Sequence, residues 1–229
     1  MQKKRNVGLL GMSGNPTHAG HIETVARALE TVADLDEVWL LINPHNPLKD
    51  QSQYAPFSDR MQLARYELAA NPVKNGWVDV SDYEESLRHR SVPNETIWTL
   101  RQFEKDHPNY NPVWIMGADI LAEMHTWGGE WDRIFEEYPV VALARPGDND
   151  ALSRSVAARA FQHKLVRAED MFCCQKGQWT CIETANHPGS STAVRTAMAE
   201  GRRPRHVCPK SYEHMMRHGL YGAKSRTDQ

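Results

Sequence analysis

The chain has 229 residues, 40% hydrophobic and 24% charged, and its 27 Lys and Arg side chains nearly balance its 29 Asp and Glu side chains. This balance, with no block of basic residues, gives no support for nucleic-acid binding through a charged surface. No apolar stretch approaches membrane-spanning length, and the apolar run after the basic N-terminus is too short for a signal peptide. We therefore expect a cytoplasmic protein that binds neither nucleic acid nor membranes.

Short strand-like runs alternate with helix-like runs along the chain. We predict strands over 6–10, 37–42, 78–80, 113–116, 140–143 and 179–182. Apolar residues at helical spacing predict helices over 22–32, 57–70 and 95–105. This alternation is typical of parallel βαβ units, in which ligands bind at the carboxyl ends of the strands. The predicted fold class is therefore α/β, with a parallel sheet flanked by helices.

The first predicted strand leads through a turn into His18-Ala19-Gly20-His21. Residues i and i+3 share a helix face, so both imidazoles would point the same way, beside backbone N–H groups left free at the helix N-terminus. This arrangement indicates a phosphate site with two added proton or hydrogen-bond donors. By itself the pattern fits an incidental surface pair equally well. A helical zinc pair is the weaker alternative, because no third ligand follows at a short spacing.

A second candidate anion site runs from His187 to Arg195. Pro188 and Gly189 break the chain, and Ser190, Ser191 and Thr192 then cap a helix predicted over 193–200. Hydroxyls, free N–H groups and an arginine on the next turn would bind an anion. Taken alone, an ordinary helix cap with a surface arginine is the simpler interpretation.

Together, HxGH near the N-terminus and SSTxxR near the C-terminus resemble the HxGH nucleotidyltransferase superfamily. Further segments narrow the resemblance to bacterial nicotinate-nucleotide adenylyltransferases, which make the NAD precursor deamido-NAD. In chain order these segments are 43–49, 58–61, 94–100, 116–119, 126–127, 144–147 and 218–221. The resemblance covers residues 7–221. It implies a Rossmann-like fold of the nucleotidyltransferase type and transfer of AMP from ATP to nicotinate mononucleotide, with release of pyrophosphate.

The resemblance also implies roles for individual residues. His18 would stabilise charge as the α-phosphate is attacked, Lys49 would reach phosphate from the loop after the second strand, and Trp127 would stack on a pyridine ring. The implied catalytic residues are His18, His21, Lys49 and Arg195. The implied ATP-binding residues are Gly11, Ser13, His18, His21, Ser190, Ser191, Thr192 and Arg195. The implied mononucleotide-binding residues are Lys49, Thr96, Gly117, Asp119 and Trp127. Mg²⁺ would enter with ATP, without a metal site of the protein's own, and a homo-oligomer is left open.

Three positions depart from the family pattern. In the phosphate turn, Met12 replaces a glycine and Gly14 replaces a phenylalanine. A side chain at position 12 would hinder close approach of the backbone to phosphate. Glu95 stands where the family has tyrosine, and in the pocket it would repel a nicotinate carboxylate. We therefore hypothesise that Glu95 points outward or that the protein accepts the amide substrate.

Two other functions stay open from the sequence. One is a different HxGH adenylyltransferase, such as one acting on pantetheine phosphate, and segments 96–100 and 117–127 argue against it. The other is a non-catalytic nucleotide-binding protein, which Met12 and Gly14 favour. We expect a single nucleotidyltransferase domain over 1–222, with a C-terminal helical part at about 185–222 and a polar tail over 223–229.

Overall fold

The computed structural model describes residues 3–44, 51–93, 95–127, 130–148, 154–173 and 175–223. Its strands are β1 Arg5–Met12, β2 Glu37–Ile42, β3 Trp77–Ser81, β4 Tyr110–Gly117, β5 Val140–Ala144 and β6 Trp179–Glu183. Its helices are α1 Ala19–Thr31, α2 Phe57–Ala70, α3 Tyr83–His89, α4 Thr96–Asp106, α5 Ala118–Glu123, α6 Trp131–Glu137, α7 Val156–Ala160, α8 Ser191–Ala199 and α9 Pro209–Arg217. The six predicted strands and four predicted helices are confirmed, with ends that shift by up to three residues.

The six strands form one parallel sheet in the order β3-β2-β1-β4-β5-β6. From β1 the chain runs outward through β2 to β3, and it then returns to the other side of β1 to build β4, β5 and β6. The direction of winding therefore changes between β1 and β4. In parallel sheets a ligand binds outside the carboxyl ends of the strands at this point.

Helices cover both faces of the sheet, and two apolar clusters fill the space between. On one face, Ile22 and Val25 of α1 and Met61 of α2 pack against the sheet. On the other face, Leu100 of α4 and Phe135 of α6 do the same. A smaller cluster joins α2, α8 and α9. No described helix has both the length and the apolar character needed to span a bilayer.

Trp77 on β3 is exposed, unlike Trp114 on β4 and Trp179 on β6. Trp114 and Trp179 are 5% and 2% exposed, but Trp77 is 63% exposed. The reason is that β3 is an edge strand, so its first residue has a neighbouring strand on one side only. Periodicity in the sequence does not distinguish an edge strand from a central one.

Candidate active site

A cleft of about 460 Å³ lies at the carboxyl ends of β1, β4 and β5. The structure brings most of the predicted site residues to it, although they lie up to 180 positions apart. Its lining includes Gly11, Ser13, His18, His21, Thr96, Gly117, Asp119, Trp127 and Ser191. Lys49 lies outside the described residues.

The two histidines of the HxGH motif are held by the start of α1 itself. His18 is the N-cap residue, and its Nδ1 accepts a hydrogen bond from the Gly20 N–H at 3.2 Å. The His21 Nδ1 accepts in turn from the His18 N–H at 3.2 Å. An imidazole nitrogen that accepts carries no proton, so each neutral ring has its proton on Nε2. The backbone therefore fixes both histidines as Nε2 hydrogen-bond donors.

The same contacts correct one prediction. The first N–H groups of α1 are not free: Ala19 donates to the His206 carbonyl, Gly20 to the His18 ring, and His21 to the His18 carbonyl. The histidine side chains and a neighbouring loop satisfy these donors, as helix caps do. The anion-binding capacity of this helix end therefore lies in the imidazole Nε2–H groups and in the helix dipole.

Burial keeps both imidazoles neutral. Loss of solvent lowers the pKa of His18 to about 3, and the nearby His21, His187 and Arg145 act in the same direction. Loss of solvent, together with Arg145, lowers the pKa of His21 to about 4. At neutral pH the cleft therefore presents neutral N–H donors, with the positive charge of Arg145 nearby.

Gly20 is needed because a third imidazole packs on the motif. A Cβ at this position would lie 2.6 Å from Nδ1 of His187 and 3.0 Å from Cε1 of His18. The rings of His18 and His187 stack with centroids 5.8 Å apart. The His187 Nδ1 accepts from the Gly189 N–H at 2.9 Å, so its neutral form also has its proton on Nε2.

Arg60 stabilises the phosphate turn between β1 and α1 through hydrogen bonds. This arginine is 1% exposed and donates to the carbonyl groups of Ser13, Asn43, Pro44 and Ala55. Gly14 has a φ of +54°, a conformation that glycine adopts without strain. Met12 lines the cleft and packs partly against the apolar core next to β2.

The second predicted anion site lies beside the first. A smaller pocket of about 330 Å³ shares Ser13 and Ser191 with the main cleft and is also lined by Thr192 and Arg195. The guanidinium of Arg195 donates to the Asn15 carbonyl at 2.8 Å and to the Thr192 hydroxyl at 3.2 Å. Ser190 has a structural role, since its hydroxyl caps α8 by accepting from the Ala193 N–H.

At the other end of the cleft, four predicted residues meet between α4, β4 and α5. Gly117 ends β4, and its missing side chain leaves room for the Asp119 carboxylate, which folds back over it. Thr96 begins α4, and Trp127 is 37% exposed at the cleft mouth. Glu95 is exposed and is not among the described lining residues, as the outward alternative predicts.

Glu84, a carboxyl that the sequence did not indicate, also lines this cleft. Oε2 of Glu84 and Nε1 of Trp114 are both buried without a hydrogen-bond partner among the described residues. Both side chains lie beside Gly11, whose missing Cβ would stand 2.9 Å from Cη2 of Trp114 and 3.7 Å from Oε1 of Glu84. Loss of solvent raises the pKa of Glu84 to about 7. A buried polar group without a partner destabilises a fold, and such groups concentrate at functional sites.

Glu84, Arg145, Thr184 and His187 are among the lining residues to which sequence reasoning assigned no role. Arg145 and His187 lie in segments that carried the family resemblance or the second anion site, so their position was a usable signal. Glu84 and Thr184 follow strands β3 and β6, and only the sheet order brings them to the cleft.

Comparisons with known proteins agree with this architecture. The cytidylyltransferase-like family model matches residues 13–197. A probable nicotinate-nucleotide adenylyltransferase of Ruegeria pomeroyi is 38% identical over 83% of this chain and 85% of its own length. One from Mesorhizobium japonicum is 34% identical, over 87% of this chain and 98% of its own length.

A solved structure has the same fold. The Plasmodium falciparum nicotinic acid mononucleotide adenylyltransferase complexed with NaAD aligns with a TM-score of 0.68 at 16% identity. The alignment covers 96% of this chain and 98% of that one.

Proposed function

This chain belongs to the nicotinate-nucleotide adenylyltransferases of the cytidylyltransferase-like family, and from that membership we infer that it transfers AMP from ATP to nicotinate mononucleotide. The products are deamido-NAD and pyrophosphate. The observation that carries the proposal is the pair of imidazoles with fixed Nε2–H donors, in one cleft with Thr96, Gly117 and Trp127.

The chemistry asks for positioning and charge stabilisation rather than for a nucleophile on the protein. The phosphate of the mononucleotide is already an anion, so it attacks the α-phosphorus of ATP without a general base. The new bond forms opposite the bond to pyrophosphate, which leaves with its electron pair. The barrier comes from bringing anions together and from charge that builds on the phosphoryl oxygens.

The HxGH imidazoles suit that barrier. The neutral rings can donate hydrogen bonds from Nε2 to phosphoryl oxygens. Their orientation is fixed before substrate binds, because backbone N–H groups donate to both Nδ1 atoms. We assign to His18 and His21 the stabilisation of charge on the α-phosphate and its neighbours. Arg145 adds a positive charge close to both rings.

Two sites would then hold the ends of the substrates. Ser13, Ser191, Thr192 and Arg195 line the adjoining pocket, which suits the outer phosphates of ATP, and Lys49 is proposed to reach the same phosphates. ATP is used as its complex with a divalent metal ion, and we propose Mg²⁺, held on the phosphate oxygens and water as is usual for this ion.

The mononucleotide would occupy the end of the cleft near β4. There Gly117 leaves room for the Asp119 carboxylate, Thr96 and Asp119 offer polar groups, and Trp127 offers a ring face to the pyridine. Trp127 is more than a third exposed, so a stacked ring would cover an apolar surface.

The test is pyrophosphate release from MgATP and nicotinate mononucleotide by the wild-type chain and by His18→Ala. We expect kcat/KM to fall by about 100-fold or more in the variant, the size of effect that removal of one transition-state donor produces. His125→Ala is the matched control, because His125 is an exposed histidine near Trp127 that is not among the lining residues.

Other acceptors separate the alternative functions. Release that requires nicotinate mononucleotide and is much weaker with the amide mononucleotide or pantetheine phosphate supports the proposal. ATP binding without pyrophosphate release, from folded protein, would contradict it and identify a nucleotide-binding protein. Equal activity of His18→Ala and wild type would refute the role of the imidazoles while leaving the reaction intact.

A further inference from the structure

A second group of imidazoles lies away from the cleft, between α2 and α9. His214 lies on α9 and His218, four residues later, is the C-cap of that helix; their rings stack with centroids 4.2 Å apart and planes inclined by 20°. Both face Asp59 in the first turn of α2. The Asp59 Oδ1 lies 2.7 Å from Nε2 of His214 and 3.4 Å from Nδ1 of His218.

Within the described ranges, no other group of three or more His, Cys, Asp or Glu side chains brings its ligand atoms together in this way. The three ligand atoms lie within 4.8 Å of one another. We propose that Asp59, His214 and His218 form a binding site for one divalent transition-metal ion of the zinc class.

Two of the three distances between ligand atoms, those from the Asp59 Oδ1, are close to the values for such an ion. Zinc binds imidazole nitrogen and carboxylate oxygen at about 2.0 to 2.2 Å in tetrahedral geometry, which sets neighbouring ligand atoms about 3.3 to 3.5 Å apart. The separation of Asp59 and His218 already has this value, and that of Asp59 and His214 needs to open by about 0.6 Å. Such a change is within reach of side-chain rotation, since two histidines at i and i+4 share one helix face.

The position also gives the ion a path of entry and an open ligand position. The His218 side chain is 44% exposed, whereas His214 and Asp59 are 10% and 13% exposed. Three protein ligands at a half-buried surface leave the fourth position to water. Two nitrogens and one oxygen favour zinc, cobalt or nickel, whereas Mg²⁺ prefers oxygen ligands, so this site is distinct from the metal that accompanies ATP.

A bound ion would fasten α9 to the helix that supports the phosphate turn. Asp59 precedes Arg60, which donates to the carbonyl groups of Ser13 and Asn43. These helices also contact each other through the Tyr66 ring, which packs edge-on against the His214 ring, and through the 2.8 Å hydrogen bond from the Cys208 N–H to the Glu67 carboxylate. The ion therefore adds a coordinate cross-link between parts of the chain about 155 residues apart.

The experiment uses full-length protein without a histidine tag, after chelator treatment and dialysis. Thermal unfolding is recorded with Zn²⁺ and with Mg²⁺, and Co²⁺ binding is followed by visible absorption, which reports ligand number and stoichiometry. With free Zn²⁺ well above the dissociation constant, the unfolding temperature is expected to rise by about 5 to 10 °C, whereas Mg²⁺ leaves it unchanged. One equivalent of Co²⁺ is expected to give the strong visible bands of a tetrahedral site.

His218→Gln is the main variant, since its side chain is the most exposed of the three. It should lower Co²⁺ affinity by about 100-fold or more and abolish the zinc-induced rise, while unfolding without metal stays close to wild type. The matched control is His89→Gln. His89 Nε2 lies 3.1 Å from the Glu85 carboxylate, so this histidine pairs with a carboxylate as His218 does, but among the described residues no second histidine completes a metal site there.

Asp59→Asn is the second variant, and loss of the Co²⁺ bands in it would support the carboxylate as a ligand. A zinc-induced rise that survives in His218→Gln would overturn the proposal, because the ion would then bind elsewhere, for example at the imidazoles of the cleft. Absence of any rise in wild-type protein would also overturn it. Thermal unfolding and Co²⁺ absorption do not depend on adenylyl transfer, so their outcome tests the metal site independently of the proposed function.

Discussion

Replacing Glu84 by glutamine should stabilise the protein at alkaline pH and change its stability little at acidic pH. Glutamine keeps the shape of the side chain and cannot ionise. In the wild type, Oε2 of Glu84 is buried without a partner among the described residues, and loss of solvent raises its pKa from 4.5 to about 7. The folded state therefore holds this proton more tightly than the unfolded state does.

The sign and size follow from that difference. A raised pKa contributes stability that is fully present below the unfolded value of 4.5 and is lost as pH rises through about 7. The loss is below about 1 kcal/mol at about pH 5 and reaches about 3 kcal/mol at about pH 9. For a chain of this length, 3 kcal/mol corresponds to about 6 to 10 °C in unfolding temperature.

The assay is urea unfolding of the ligand-free protein across that pH range. Glu85→Gln is the control, because the neighbouring Glu85 is paired with Arg88, which lowers its pKa and reverses the expected sign. A difference in unfolding free energy between Glu84→Gln and wild type that does not grow with pH would refute the reasoning. Glu84 would then have water or a charged partner when ionised.

Three further predictions concern the HxGH motif and its support. Gly20→Ala should lower kcat/KM by about 10- to 100-fold with little change in unfolding temperature, because its Cβ would displace the His187 ring; unchanged kinetics would contradict this. Arg60→Met should lower the free energy of unfolding by about 3 kcal/mol, because it removes the buried donor to the Ser13 carbonyl and to the other carbonyl groups that Arg60 binds. A loss below about 1 kcal/mol in urea unfolding would show that the phosphate turn keeps its structure without this arginine. The pKa of His21 is 6.5 in the unfolded chain and about 4 in the folded protein, so the neutral ring stabilises the fold above pH 6.5 and this stability is lost as pH falls toward 4. In acid-induced unfolding, His21→Gln should therefore lose less stability than wild type between these two pH values; an equal loss would contradict the reasoning.

Much of the fold could be predicted from the sequence because its signals are local. Alternation of apolar runs identifies β2 over 37–42 and α2 over 57–70 to the residue. The HxGH pattern likewise places His18 and His21 at a strand-to-helix turn, since the spacing and the turn residues lie within a few positions of each other. The family resemblance rests on the same kind of ordered, short segments.

Only the tertiary structure decided which groups in the cleft are free and which are already paired. The sequence predicted free N–H groups at the start of α1, but the side chains of the motif and the carbonyl of His206 occupy them. The sequence drew attention to Glu95, which is exposed, and gave no sign of Glu84, which lines the cleft.

The physical reason is the range of the interactions. Helix and strand formation depend on the periodicity of neighbouring residues, which the sequence displays directly. Burial and the pairing of polar groups depend on what a distant segment places beside them. Asp59 and His214, 155 positions apart, meet only because α2 and α9 pack together.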